Sequence, residues 1–169
     1  MTTLSTAPTP TLPSSWSMTG SHCLLKDNYW IWDYGTSIDA RMVIGSPAQT
    51  TDCFSPKWNP TITFFGSACP AYYTSACQDP KGVVTCCPWI DHFSCQPETW
   101  DAVYHASEFR CQSQYTHSTS LKAIRTIINE GITRSESTSG LVGRHLFALA
   151  LMYTTPMAAT HLLTALVHD

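Results

Sequence analysis

Cys86, Cys87, His92 and Cys95 fall within one ten-residue window and are residue types that hold zinc, which takes three or four Cys or His ligands in a tetrahedron. The spacing lacks the two separated Cys-x-x-Cys knuckles of a structural zinc site, and it leaves the remaining cysteines without a role. Asp91 and His92 with a nearby serine would supply the residue types of a hydrolytic triad. Sequence neighbours rarely meet as triad members, however, and no Gly-x-Ser-x-Gly turn is present. Sequence alone therefore assigns no catalytic, cofactor-binding or metal-ligating set, and a reduced zinc-binding module is kept as an alternative.

Cross-linking is the chemistry the cysteines favour. Five of the eight lie between Cys69 and Cys95, in a stretch broken by Pro70, Pro80, Gly82 and Pro88, where covalent bridges substitute for a large apolar core. All eight, Cys23, Cys53, Cys69, Cys77, Cys86, Cys87, Cys95 and Cys111, are expected to form disulfides, with the connectivity left open. Cys86 and Cys87 are adjacent, and neighbouring side chains of an extended segment point to opposite faces, so the pair is predicted to reach two different partners.

The same stretch carries Tyr72, Tyr73, Trp89 and Phe93. Aromatic rings of this kind stack on the sugars of a cell wall when exposed, and pack around disulfides when buried. They are the candidate ligand-facing residues, and cell-wall polysaccharide is the candidate ligand.

Charged residues make up only 12% of the chain, against 41 Ser and Thr, so hydroxyls must supply much of the wetted surface. A net charge of −3 with no basic run removes the electrostatic footprint of nucleic-acid binding. The start, MTTLSTAPTPTLPSSWSMTG, holds 13 Ser, Thr or Pro in 20 residues and has neither a basic nor an apolar leader region, so no cleavable signal peptide is visible. Residues 1–20 read as a disordered or O-glycosylated tail.

The elements that must position these residues are short. Aromatic Tyr29 to Tyr34, Arg41 to Ile44 and Thr61 to Phe65 predict strands bounded by Gly, Pro or Asp turns. Leu121, Ile124, Ile127 and Ile128 share one helical face, with Ser120 to cap and Gly131 to end it, which predicts a short amphipathic linker helix within 119–145. A polar linker, TRSESTSG, follows. Leu146 to Val167 then runs 22 residues without Asp, Glu, Lys or Arg, 16 of them apolar, which as a helix would extend about 33 Å and cross a bilayer core. Lys122, Arg125, Arg134 and Arg144 all precede it, so the positive-inside tendency would place the cysteines on the wrong side. A glycolipid-anchor signal beginning in the small residues Ser135 to Gly140 would remove that conflict.

DCFSPKW at Asp52 to Trp58, then CPAYYTSAC, TCCPWIDHFSC and FRCQSQYT, resemble a family of uncharacterised cysteine-rich fungal membrane and cell-surface proteins. That family repeats Cys-Pro-x-Gly-Tyr-Thr-x-Ala-Cys followed by Thr-Cys-Cys-Pro-x-Gly-x-x-Cys. The resemblance covers roughly residues 2–118 and implies a structural role for the cysteines and one hydrophobic span downstream. It implies no activity. Two departures stand out: Tyr72 replaces the usual glycine, and Ile90-Asp91-His92 varies the segment after Pro88.

Together these readings predict a small disulfide-rich, mainly β ectodomain over 21–118, a linker helix, and one C-terminal hydrophobic helix over 146–167 that associates with a membrane. The expected role is non-enzymatic, structural or binding, at the cell surface or in the secretory pathway. A non-catalytic accessory of a fungal biosynthetic pathway is the alternative suggested by the resemblance.

Overall fold

The computed structural model describes residues 9–13, 15–18, 23–35, 40–96, 105, 107–139 and 142–156. Tyr29–Asp33 (β1) and Arg41–Ile44 (β2) pair antiparallel, as their β-branched and aromatic content predicts. Trp30 and Trp32 turn to one face and Ile31 to the other, following the two-residue repeat of a strand. Trp32 is nearly inaccessible, and its Nε1 donates to the Gly45 carbonyl at 3.1 Å. Gly45 itself has φ +102°, and a Cβ there would run into the buried Gln49 amide, whose Nε2 donates to the Ile44 carbonyl at 3.2 Å. Only glycine suits that corner.

After a single helical turn at Gln49–Asp52 (α1), the chain forms Thr63–Phe65 (β3), Tyr73–Gln78 (β4) and Val84–Pro88 (β5). A 3-10 turn at Ile90–His92 leads into Ser94–Cys95 (β6) and Cys111–Gln114 (β7), then Leu121–Ile127 (β8), Ile132–Thr138 (β9), His145–Ala148 (β10) and Leu151–Thr154 (β11). Among the described residues these form a seven-stranded sheet ordered β6-β7-β10-β2-β1-β8-β9 and a four-stranded sheet ordered β3-β11-β5-β4. The fold is mainly β with four disulfides.

One apolar cluster joins the sheets, with Trp32, Val43 and Phe147 from the larger and Phe64, Tyr73, Leu151 and Tyr153 from the smaller. A second, built on Ile44, Leu146 and Ala148, covers the opposite face of the larger sheet with Phe93. Burial of this kind is worth about 1.5–3 kcal/mol per large side chain, so an apolar core works alongside the cross-links.

Several expectations are corrected. The linker helix at 120–131 is β8 and its hairpin turn: Leu121 to Ile127 pair antiparallel with β9 in unbroken register, and Trp30 to Asp33 pair in parallel with Ile124 to Ile127. Ile124, Thr126 and Ile127 are β-branched, and the distant β1 and the neighbouring β9 offer them ladders that an isolated ten-residue helix cannot match. Thr133 to Thr138 of the polar linker TRSESTSG make up most of β9. Its Ser135 to Thr138, expected as part of an anchor signal, are paired with β8 at the edge of the sheet.

The hydrophobic helix is likewise replaced over its described part. Leu146 to Thr154 are two strands that hand the chain from the larger sheet to the smaller, with Leu149 and Ala150 between. β10 is central, paired with β2 along one edge and β7 along the other, and its two faces are covered by the two clusters, Phe147 in the first and Leu146 and Ala148 in the second, so its sequence reads as a continuous apolar run. No helix among the described residues is long and apolar enough to cross a membrane, and 157–167 lie outside them. The β domain thus runs past residue 118 to Thr154. The start of the chain also enters the fold, where Leu12 joins the first cluster and Leu12 N–H donates to the Phe65 carbonyl at 2.8 Å.

Candidate functional site

The eight cysteines pair as Cys23–Cys53, Cys69–Cys86, Cys77–Cys95 and Cys87–Cys111. Cys86 and Cys87 go to different partners, as the alternation of an extended strand requires. Cys77–Cys95 ties β4 to β6, and Cys87–Cys111 ties β5 to β7, so both cross from one sheet to the other. The zinc reading is overturned here, because Cys86, Cys87 and Cys95 each belong to a different bridge.

The bridges hold the end of the β4–β5 hairpin. Tyr73 opposes Pro88, and one step beyond, Trp89 N–H donates to the Tyr72 carbonyl at 3.0 Å. Cys69–Cys86 anchors the chain three residues before Tyr72, and Cys87–Cys111 anchors it two residues before Trp89. The four candidate aromatics separate at this point. Tyr73 is 7% exposed and packs in the inter-sheet cluster, where burial pushes its hydroxyl pKa up; Phe93 is 8% exposed and packs in the second cluster. Tyr72 is 61% exposed and Trp89 59%. Two large rings therefore stand in solvent on neighbouring backbone positions, over a base of buried sulfur and proline.

Tyr72 also has φ +67°. A bulky side chain with positive φ is a rare backbone state costing on the order of 1 kcal/mol. A glycine would adopt it without that cost. Asp91 and His92 share the feature, with φ of 56° and 51°.

Asp91 does not assemble a triad. Ser113 Oγ donates to the Asp91 backbone carbonyl, and the His92 side chain points into solvent. Asp91 Oδ2 is buried with no hydrogen-bond partner, as is the Tyr115 hydroxyl. Burial, then the charge of Asp27, raises the Asp91 pKa, against the opposing influence of Lys26 and His92. Burial, with Asp91 and Asp27 nearby, pushes Tyr29 up to about 12. These groups form a polar pocket of the fold that sits uneasily with negative charge.

A cleft of about 700 Å³ opens on the larger sheet, floored by Ile31 and Met42 and bordered by Arg125, Glu136 and the exposed Arg144. Arg125 is locked: Nε and Nη2 donate to the Glu136 carboxylate at 2.7 and 3.1 Å, and Nη1 donates to Asp33 Oδ2 at 2.7 Å. The fork geometry holds the guanidinium in place and lowers the Glu136 pKa. Sequence reasoning missed this cluster because Asp33, Arg125 and Glu136 come from three strands, two of which were read as helix and linker. The available signal was the Asn-Glu-Gly turn at 129–131 between two β-branched runs.

Comparison with known proteins finds no matching family model, no matching curated protein and no matching solved structure.

Proposed function

We propose that this chain is a disulfide-stapled binding domain of an oxidising compartment, the cell surface or secretory pathway, and that it acts by holding a polysaccharide chain against Tyr72 and Trp89. The location rests on four bridges engaging all eight cysteines, a usage that persists where glutathione does not reduce it. The resemblance supplies the fungal wall as the setting. The observation that carries the binding role is the exposure of two neighbouring rings on a covalently held hairpin end, one of them kept in a backbone state that favours glycine. Nothing in the packing calls for a ring at Tyr72, since most of it faces water.

Sugar rings present flat C–H faces to such aromatics, and a rigid platform avoids the entropy of ordering side chains on binding. Each ring is worth about 0.5–1.5 kcal/mol, so binding is modest per contact and accumulates along a polymer. Retention of the full chain on insoluble β-glucan and chitin tests the reading. Trp89→Ala should weaken retention roughly tenfold with the disulfide map intact. Unchanged retention by Trp89→Ala, or no retention by the wild type, would overturn it.

A further inference from the structure

Each sheet edge must be closed or guarded, because an open edge offers a row of unpaired N–H and C=O groups. Among the described residues, three of the four edges are closed. β6 has only two residues; β3 is covered by residues 10–12, with Phe65 N–H donating to the Pro10 carbonyl at 2.8 Å; β4 has a register irregularity between Ser75 and Cys77 and is bridged at Cys77. β9 is different. It is seven residues long, in unbroken register with β8, without proline, lysine or bulge, and Ile132, Thr133, Arg134, Ser135 and Ser137 are all exposed.

We infer that β9 is a self-association edge, at which a second copy of this chain adds its own β9 antiparallel about a two-fold axis. The sequence of the strand singles out one register. A two-fold between antiparallel strands must pass through a directly opposed pair, since the alternation of wide and narrow pairs forbids it from passing between pairs. Ser135 is the midpoint of Ile132–Thr138, so centring there opposes all seven residues. It also sets Arg134 against Glu136 of the partner subunit, twice. Moving the axis one residue either way would oppose Arg134 to its own copy or Glu136 to its own copy, placing like charges face to face. Charge and ladder length thus select the same arrangement. Glu136 can serve both Arg125 and the incoming arginine, because a carboxylate has about four acceptor positions.

A single added strand buries little area, so the dimer belongs to the small, transient class of interfaces and weakens as salt rises. Sedimentation equilibrium of the full chain at high micromolar concentration should show a monomer–dimer equilibrium. Ser135→Lys, at an exposed position where the monomer loses nothing, should weaken it on the order of tenfold by opposing two ammonium groups at the axis. Ser135→Cys should cross-link to a covalent dimer on mild oxidation, since directly opposed strand residues have the Cα separation a disulfide needs. Thr133→Cys should not, because its opposite number is Ser137 of the partner subunit. A wild-type chain that stays monomeric, a dimer indifferent to Ser135→Lys, or equal cross-linking of the two cysteine variants would each overturn the inference.

Discussion

Cys86 and Cys87 are consecutive in β5, yet their sulfurs belong to different apolar clusters: Cys86 lies with Phe64, Tyr73 and Leu151, and Cys87 with Ile44, Phe93 and Leu146. Both are fully buried, as is Cys111. The cross-links are therefore part of the hydrophobic core and are shielded by it, and one strand pins material on both of its faces.

Shielding sets the order in which the bridges open under limiting reductant, because exchange needs a thiolate to reach sulfur. Cys77 is exposed and Cys95 partly so, whereas both sulfurs of Cys87–Cys111 are buried. Cys77–Cys95 should reduce first and Cys87–Cys111 last, the latter only as the fold opens. Differential alkylation followed by peptide mapping checks this, and early loss of Cys87–Cys111 would contradict it. Replacing Cys87 and Cys111 together by alanine should cost roughly 3 kcal/mol or more from the freed loop alone.

Trp32 is the second point on which the sheets depend. Its ring meets Phe109 edge to face at 5.3 Å, and its Nε1 is bonded to the Gly45 carbonyl. Trp32→Ala should cost about 3–5 kcal/mol through the cavity it leaves. Trp32→Phe keeps most of the ring but strands the buried carbonyl, and should cost about 1–3 kcal/mol. Chemical denaturation of the two variants should show this ranking; equal costs would assign the whole effect to volume.

How far the sequence was legible depends on how local the deciding forces are. The strand at Arg41 to Ile44 and the divergence of Cys86 from Cys87 follow from a residue and its neighbours, and the structure shows both. The 121–127 segment does not, because its fate turns on partners β1 and β9 that lie far away or were themselves misread. Leu146 to Thr154 is harder still. A strand buried on both faces and an apolar helix have the same composition, and only the presence of β2 and β7 on either side of β10 distinguishes them. At the candidate site, the sequence marked four aromatic residues but not which two face water, since the difference in burial between Tyr72 and Tyr73 is set at the turn from Pro70 into β4, where Tyr72 takes a positive φ.

Tyr72→Gly separates stability from binding. The substitution removes the cost of a positive φ at the price of a looser unfolded chain, and it gives up little packing because the ring is mostly exposed. The variant should be as stable as the wild type or up to about 1 kcal/mol more so, while retention on polysaccharide falls. Loss of stability with unchanged retention would mean that the ring is a packing element.

Asp91 and Glu136 should move the pH dependence of stability in opposite directions. The folded-state pKa of Asp91 is raised above its usual value of 3.8, chiefly by burial, so its contribution to stability is fully present below that value and is lost as pH rises through the folded pKa. At neutral pH its ionised carboxylate opposes folding. Asp91→Asn removes the charge, suits the positive φ, and should stabilise the protein at pH 7 by about 0.5–1 kcal/mol, a modest gain because the residue is only partly buried. The gain should vanish toward pH 3. Glu136 has its pKa lowered from 4.5 by the Arg125 hydrogen bonds, so its contribution is present above that value and is lost as pH falls through the folded pKa. Glu136→Gln should therefore destabilise the protein at pH 7, by less than about 1 kcal/mol given the exposure of the pair, and converge with the wild type in acid. Thermal melts of both variants from pH 3 to pH 8 test this. Curves that diverge from the wild type in the same direction would refute the assignment of a burdened carboxylate at Asp91.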